Sequence, residues 1–96
     1  MEGSSEYGIF ETAEFVRRIE KLSKADARAI RTKLQKHVYP QLREQPFFGA
    51  NIRKIRGFSA DVWRYRIGRF RVFYTVEESE RVVSIITVDD RKDANG

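Results

Sequence analysis

The sequence predicts an α+β domain in which two N-terminal helices pack on one face of a twisted, mainly antiparallel sheet that ends in a three-stranded meander. Three observations carry this. Apolar residues recur at steps of three and four through the first part of the chain. From Asn51 onward the period changes to two, with β-branched and aromatic residues dominating. Short glycine or polar turns then separate the strands closely enough for hairpins.

Taken in order, Tyr7 to Glu11 reads as a short strand, and Thr12 follows with a hydroxyl suited to capping a helix. The set Phe15, Val16, Ile19 and Leu22 marks a first helix from about Ala13 to Leu22. Ser23-Lys24-Ala25-Asp26 resembles a capping box, with serine and acid three residues apart satisfying first-turn donors. The stripe Ala27, Ile30, Leu34, Val38 and Leu42 lays one face of the second helix on the sheet. Pro40 interrupts it, because proline removes a helical hydrogen bond and clashes with the preceding turn, so the helix should kink or end nearby. Pro46 and Gly49 mark a loop. Strands are expected over residues 51–56, 62–67, 70–77 and 81–88, with turns at Gly57 to Asp61, Gly68-Arg69 and Glu77 to Glu80.

With 96 residues the chain has room for one domain and a modest core. Residues 7–96 are expected to form it, with residues 1–6 a disordered or vector-derived start. There is no cysteine, which excludes disulfides, thiolate zinc sites and thiol nucleophiles together. No apolar run approaches the roughly 20 residues that span a bilayer, and the start lacks the basic and apolar regions of a signal peptide, so a cytoplasmic protein without a membrane partner is expected.

The net charge of +5 is unevenly spread. Between Gly49 and Thr75 stand seven basic residues, Arg53, Lys54, Arg56, Arg64, Arg66, Arg69 and Arg71, against the single acid Asp61. That segment carries the whole excess, as a polyanion-binding surface would; a solvated arginine-rich sheet face accounts for the same charges. Alternation in Val62 to Ile67 puts Val62, Arg64 and Arg66 on one face and Trp63, Tyr65 and Ile67 on the other. After the Gly68 turn, Arg71 can join the arginines of the neighbouring strand. Guanidinium groups gathered in this way repel one another unless solvated or facing an anion, and phosphate suits them because the planar fork meets two oxygens at once.

Other polar and aromatic residues have plainer readings. His37, the only histidine, lies on or beside the apolar stripe and reads as a boundary residue before a catalyst. Trp63, Tyr65, Phe70 and Tyr74 could stack on bases, but at period two they read as core. Asp89-Asp90 reads as a cap or turn rather than a metal site.

The segment from Lys54 to Tyr74, KIRGFSADVWRYRIGRFRVFY, together with the later ITVDDRKDA, resembles the RelE/ParE toxin superfamily of type II toxin–antitoxin systems. In that superfamily a basic-hydrophobic-x-Gly turn leads into a Trp-Arg-hydrophobic-Arg strand, a glycine turn, an aromatic-Arg pair and a hydrophobic-Tyr ending. The resemblance covers about residues 7–95. It implies the RelE-like fold and, in the RelE branch, a ribosome-dependent mRNA interferase. Such an endoribonuclease cuts in the A site, using the ribose 2′-OH as nucleophile and no metal or cofactor. Carried over to this chain, it implies that Arg64, Arg66, Arg71 and Arg91 stabilise charge on the phosphate, a strong form of electrostatic catalysis. Arg53, Lys54, Arg56, Arg69 and Lys92 are then the expected phosphate anchors. Many members end with a tyrosine where this chain has Asn95, and an amide is neither acid nor base near neutrality. Catalysis then relies on the arginines and some other group, or this chain is attenuated.

The resemblance also implies a cognate, usually acidic, antitoxin, contact with ribosome and mRNA, and operator DNA bound only through the antitoxin. Two alternatives stay open: a ParE-like inhibitor of DNA gyrase, and a non-catalytic RNA-binding module using the same basic face. The nuclease reading requires Arg64, Arg66, Arg71 and Arg91 to share one surface.

Overall fold

In the computed structural model, residues 6–55 and 61–90 are described. Strand β1 (Gly8–Glu11) leads into helix α1 (Ala13–Glu20) and helix α2 (Lys24–Lys33). A π-turn (Leu34–Val38) joins α2 to α3 (Tyr39–Glu44), and β2 (Ile52–Ile55), β3 (Val62–Ile67), β4 (Phe70–Glu77) and β5 (Val82–Asp90) complete the order. The sheet runs β1-β5-β4-β3-β2. Strand β1 lies parallel to β5, and the other three pairings are antiparallel. The α+β class and the closing meander are as the sequence predicts.

The helix starts follow from their caps. Thr12 Oγ1 accepts the Phe15 N–H at 3.2 Å, and the same oxygen lies 2.9 Å from the Ile85 and Ile86 carbonyls, tying the start of α1 to β5. Ser23 Oγ accepts the Asp26 N–H at 3.1 Å. The other half of the expected capping box does not form, because the Asp26 carboxylate turns to Arg69 at 2.8 Å.

Pro40 neither ends nor breaks the helical path. The turn before it widens, so that the Tyr39 N–H reaches the carbonyl of Leu34, five residues back. Steps of four overshoot an α-turn by about 40° each. The π-turn absorbs that drift, so Ile30, Leu34, Val38 and Leu42 all stay buried along a path that continues to Glu44.

The helices lie over one sheet face, where their stripe meets Tyr65, Ile67, Phe70, Val72, Tyr74, Val83, Ile85 and Val88. The tyrosines weighed as base-stacking candidates belong here: Tyr74 is fully buried and donates to the Pro46 carbonyl at 2.7 Å, and Tyr65 donates to Gln41 Oε1 at 2.7 Å. Trp63 is half-buried, edge-on to Phe47. A polar lock closes the β1 side. Glu11 accepts from Arg31 and from the Tyr39 hydroxyl, both at 2.5 Å. Burial alone would raise the Glu11 pKa, but the hydrogen bonds from Arg31 and Tyr39 and the Arg31 charge together hold it below its ordinary value. Burial and the same carboxylate push the Tyr39 phenol far up.

Strand β5 runs through Asp90, two residues beyond the expected end at 88, so Asp89-Asp90 is strand rather than cap or turn. A register shift sits beside Phe73/Tyr74, where Phe73 faces Thr87 but Tyr74 faces Ile85. Ile86 is the extra residue, and it resets the alternation so that Val88 points into the core and Asp89 away from it.

Candidate functional site

The sheet face turned away from the helices holds the arginines. Across β2, β3, β4 and β5 the register pairs Arg53 with Arg64, Arg64 with Phe73, Arg66 with Arg71, and Arg71 with Asp89. Direct cross-strand partners have Cβ atoms about 5 Å apart, so Arg66 and Arg71 are held side by side against their own repulsion. Arg64 and Arg71 are half-buried and Arg66 is exposed. At Arg71 the repulsion is offset by Asp89, to which it donates at 2.5 Å. The Arg71 Nε is buried and has no hydrogen-bond partner among the described residues, so part of its donor capacity is unused.

Other candidates lie elsewhere. Lys54 pairs with Trp63 in register and so stands on the helix side, its ammonium 5.8 Å from the Trp63 ring centroid and 3.4 Å from Asp61. Arg69, in the β3–β4 turn, is committed to Asp90 at 3.1 Å and Asp26 at 2.8 Å, clamping the turn to β5 and to the start of α2. Its pKa is raised, chiefly by the hydrogen bond to Asp90. Arg53 lies on the arginine face, opposite Arg64. Arg56, Arg91, Lys92 and Asn95 lie outside the described residues.

Asp89 is the residue that sequence reasoning placed in a different role. Its signal was available: the buried apolar positions step from Ile85 to Val88 by three where alternation demands two, which marks a bulge and puts residue 89 on the arginine face. A second feature had no such signal. The π-turn carries His37 away from the core into an exposed cleft that it shares with Lys33, Asn51 and Arg66.

Chemically, the face offers several cations in one row and a carboxylate at its end, a set that can grip a phosphodiester and stabilise charge developing on it. Among the described residues no three His, Cys, Asp or Glu side chains converge as a metal site requires. No helix there is long and apolar enough to cross a membrane.

A family model described as the ParE toxin of type II toxin–antitoxin systems, parDE, matches residues 11–95. The chain belongs to this family, and so is a toxin of a type II toxin–antitoxin system of the RelE/ParE superfamily. Solved structures share its fold. The toxin–antitoxin complex RelBE2 from Mycobacterium tuberculosis contains a chain 22% identical, matched over 90% of this chain and 99% of its own with a TM-score of 0.70. The archaeal RelE–RelB complex from Pyrococcus horikoshii gives 26% identity over 90% and 96% with a TM-score of 0.57. A YoeB/ParE toxin from Agrobacterium tumefaciens gives 21% over 86% and 96% with a TM-score of 0.68. Among curated proteins none matches the chain in sequence.

Proposed function

We propose that this toxin is a ribosome-dependent mRNA endoribonuclease that cuts in the A site without a metal. The ribose 2′-hydroxyl gives up its proton as its oxygen forms the new bond to phosphorus, and the 5′-oxygen leaves and takes up a proton, giving a 2′,3′-cyclic phosphate and a free 5′-hydroxyl. Arg64, Arg66 and Arg71 neutralise the charge that builds on the phosphate oxygens, with Arg91 completing the set and Arg53 holding the strand. Because the nucleophile belongs to the substrate, the protein supplies position and charge while the proton lost by the 2′-hydroxyl and the proton gained by the 5′-oxygen pass through another group or solvent, and DNA is immune. The observation that carries this reading is the register itself: Arg66 directly beside Arg71, with Arg64 on the same face. A cognate antitoxin holds the toxin harmless, as the RelE–RelB and RelBE2 complexes suggest by analogy. Its acidic segment would cover the arginine row, and operator DNA would be bound through the antitoxin.

Primer extension on ribosome-bound mRNA tests the reading. Cuts inside the A-site codon that vanish with Arg71→Ala are expected; intact mRNA with the unaltered protein overturns it. Installing tyrosine by Asn95→Tyr raises the cleavage rate if position 95 is attenuating, and an unchanged rate and unchanged growth inhibition remove that idea. A second reading is favoured by the description of the matched family, which names ParE: inhibition of DNA gyrase by protein contact. Gyrase-dependent DNA cleavage by the purified chain would select it. A steep salt dependence of RNA binding with no cleavage on programmed ribosomes would instead select a purely RNA-binding role.

A further inference from the structure

We infer that Asp89 is the general base of the reaction, taking the proton of the ribose 2′-hydroxyl beside the guanidinium that holds the reacting phosphate. The inference deepens the nuclease reading and rests on it.

The chemistry leaves a proton to be placed. As the 2′-oxygen bonds to phosphorus its proton departs, and a side chain can receive it only if it is able to take a proton near neutrality. Guanidinium groups cannot, so Arg53, Arg64, Arg66 and Arg71 stabilise charge without moving a proton. The amide of Asn95 cannot either. A carboxylate can, and Asp89 brings one to the end of the arginine row.

The register sets Asp89, Arg71 and Arg66 in one line across β5, β4 and β3, on the sheet face turned away from the helices. The ion pair within this line uses one oxygen and one nitrogen: Arg71 Nη2 donates to Asp89 Oδ2 at 2.5 Å. Asp89 Oδ1 and Arg71 Nη1 make no hydrogen bond with a described residue, so each is open to substrate. Both side chains can be reached, with 30% of Asp89 and 26% of Arg71 exposed. A phosphate oxygen held on Nη1 then lies beside the carboxylate on the same guanidinium. In a reactive conformer the 2′-oxygen stands about 3–3.5 Å from phosphorus, which brings its hydroxyl within hydrogen-bond reach of Oδ1.

Other carboxylates on the described strands are placed wrongly for this. Glu11 and Asp90 lie on the helix side, held by Arg31 and Arg69. Glu77 shares the arginine face but stands at the far end of β4, about 20 Å from Arg71 at the rise of a strand.

In the step itself the 2′-O–H bond breaks and its proton passes to Asp89 Oδ1 as the bond from the 2′-oxygen to phosphorus forms. The bond from phosphorus to the 5′-oxygen breaks, its electron pair stays on that oxygen, and water supplies the proton there. Protonated Asp89 then gives its proton to the hydroxide so formed, through solvent, and the protein ends as it began.

A carboxylate that only tempers the charge of the row predicts the opposite of a base. Removing it would free Arg71 for the phosphate and speed the cut. Single-turnover cleavage of ribosome-bound mRNA, run beside titrations with single-stranded RNA, separates the two. Asp89→Asn is expected to bind RNA at least as tightly as the unaltered chain, which also shows that it is folded, yet to cut about 10²–10⁴-fold more slowly. Asp89→Glu, which restores a carboxylate on a longer arm, should recover about tenfold or more of that loss. Glu77→Gln, which removes the same charge from the same face, should leave the rate as it is. Cutting by Asp89→Asn at or above the unaltered rate overturns the inference and leaves the nuclease reading standing, with Asp89 a counter-charge alone. A rate lost in step with RNA binding also overturns it, because a structural role then suffices. Programmed ribosomes left uncut by the unaltered chain overturn the nuclease reading, and this inference with it.

Discussion

Arg71 and Asp89 face one another across the β4–β5 pairing and form an ion pair at 2.5 Å, while Arg66, the other neighbour of Arg71, is exposed and makes no ion pair with a described residue. The pair sets how much positive charge the face presents. Asp89→Asn removes the internal counter-charge while keeping the shape. Single-stranded RNA should then bind more tightly, and the slope of log affinity against log salt should steepen by about one unit. An unchanged slope would show that Arg71 does not meet the RNA backbone.

Arg69 and Arg71 are two residues apart in sequence and predict opposite behaviour. Truncating Arg71 or Arg66 should lower the rate of mRNA cutting by about 10²–10³-fold, the usual effect of removing one donor from a charge-stabilising set, with little change in melting temperature for Arg66→Ala and a lower one for Arg71→Ala, which leaves half-buried Asp89 unpaired. Arg69→Ala should leave the rate alone and slightly lower the melting temperature in a salt-sensitive way, because its partners are Asp26 and Asp90. Cleavage assays beside thermal melts of the three variants test the contrast.

Tyr74 is fully buried and its hydroxyl serves the carbonyl of buried Pro46. Tyr74→Phe strands that carbonyl without opening a cavity, so unfolding in urea should show a loss of about 1–3 kcal/mol. A loss near zero would mean that the carbonyl finds another donor.

The lock of Glu11, Arg31 and Tyr39 makes stability depend on pH at both ends. The Glu11 pKa is lower in the folded chain than the ordinary 4.5, so its contribution is complete above 4.5 and fades as pH falls below that toward the folded value. The Tyr39 pKa is raised above its ordinary 10.0, so its contribution is complete below 10 and fades as pH rises beyond. Melting temperature against pH should show both shoulders. Glu11→Gln should flatten the acid one, and Tyr39→Phe should reduce the alkaline one, leaving the part owed to Tyr74, whose phenol burial also pushes up.

How far the sequence carried these conclusions depended on the range of the forces involved. Helix starts, strand order in the meander and the facing of Arg64, Arg66 and Arg71 follow from period and local turns, and the structure agrees with them. The course of the chain at Pro40 did not follow, because a lost hydrogen bond can be met by widening one turn as well as by ending the helix, and only the packing of Val38 and Leu42 chooses between them. Asp89 was misjudged for a related reason: one bulged residue, Ile86, inverts the facing of everything after it in β5. The places of Lys54 and Arg69 required knowledge of register and of distant carboxylates, which composition does not contain.

The pairing of Gly8 with Val82 joins the first strand made to the last, and β5 sits between β1 and β4 in the sheet. A nascent chain that has emerged only as far as β4 has no site for β1 to dock and lacks Val83, Ile85 and Val88 beneath its helices. Assembly is thus deferred until translation of the domain is nearly complete, since distant pairings form slowly and in one cooperative step. The complete sheet, and with it any toxicity that needs the finished fold, therefore has to wait for the last strand to be made.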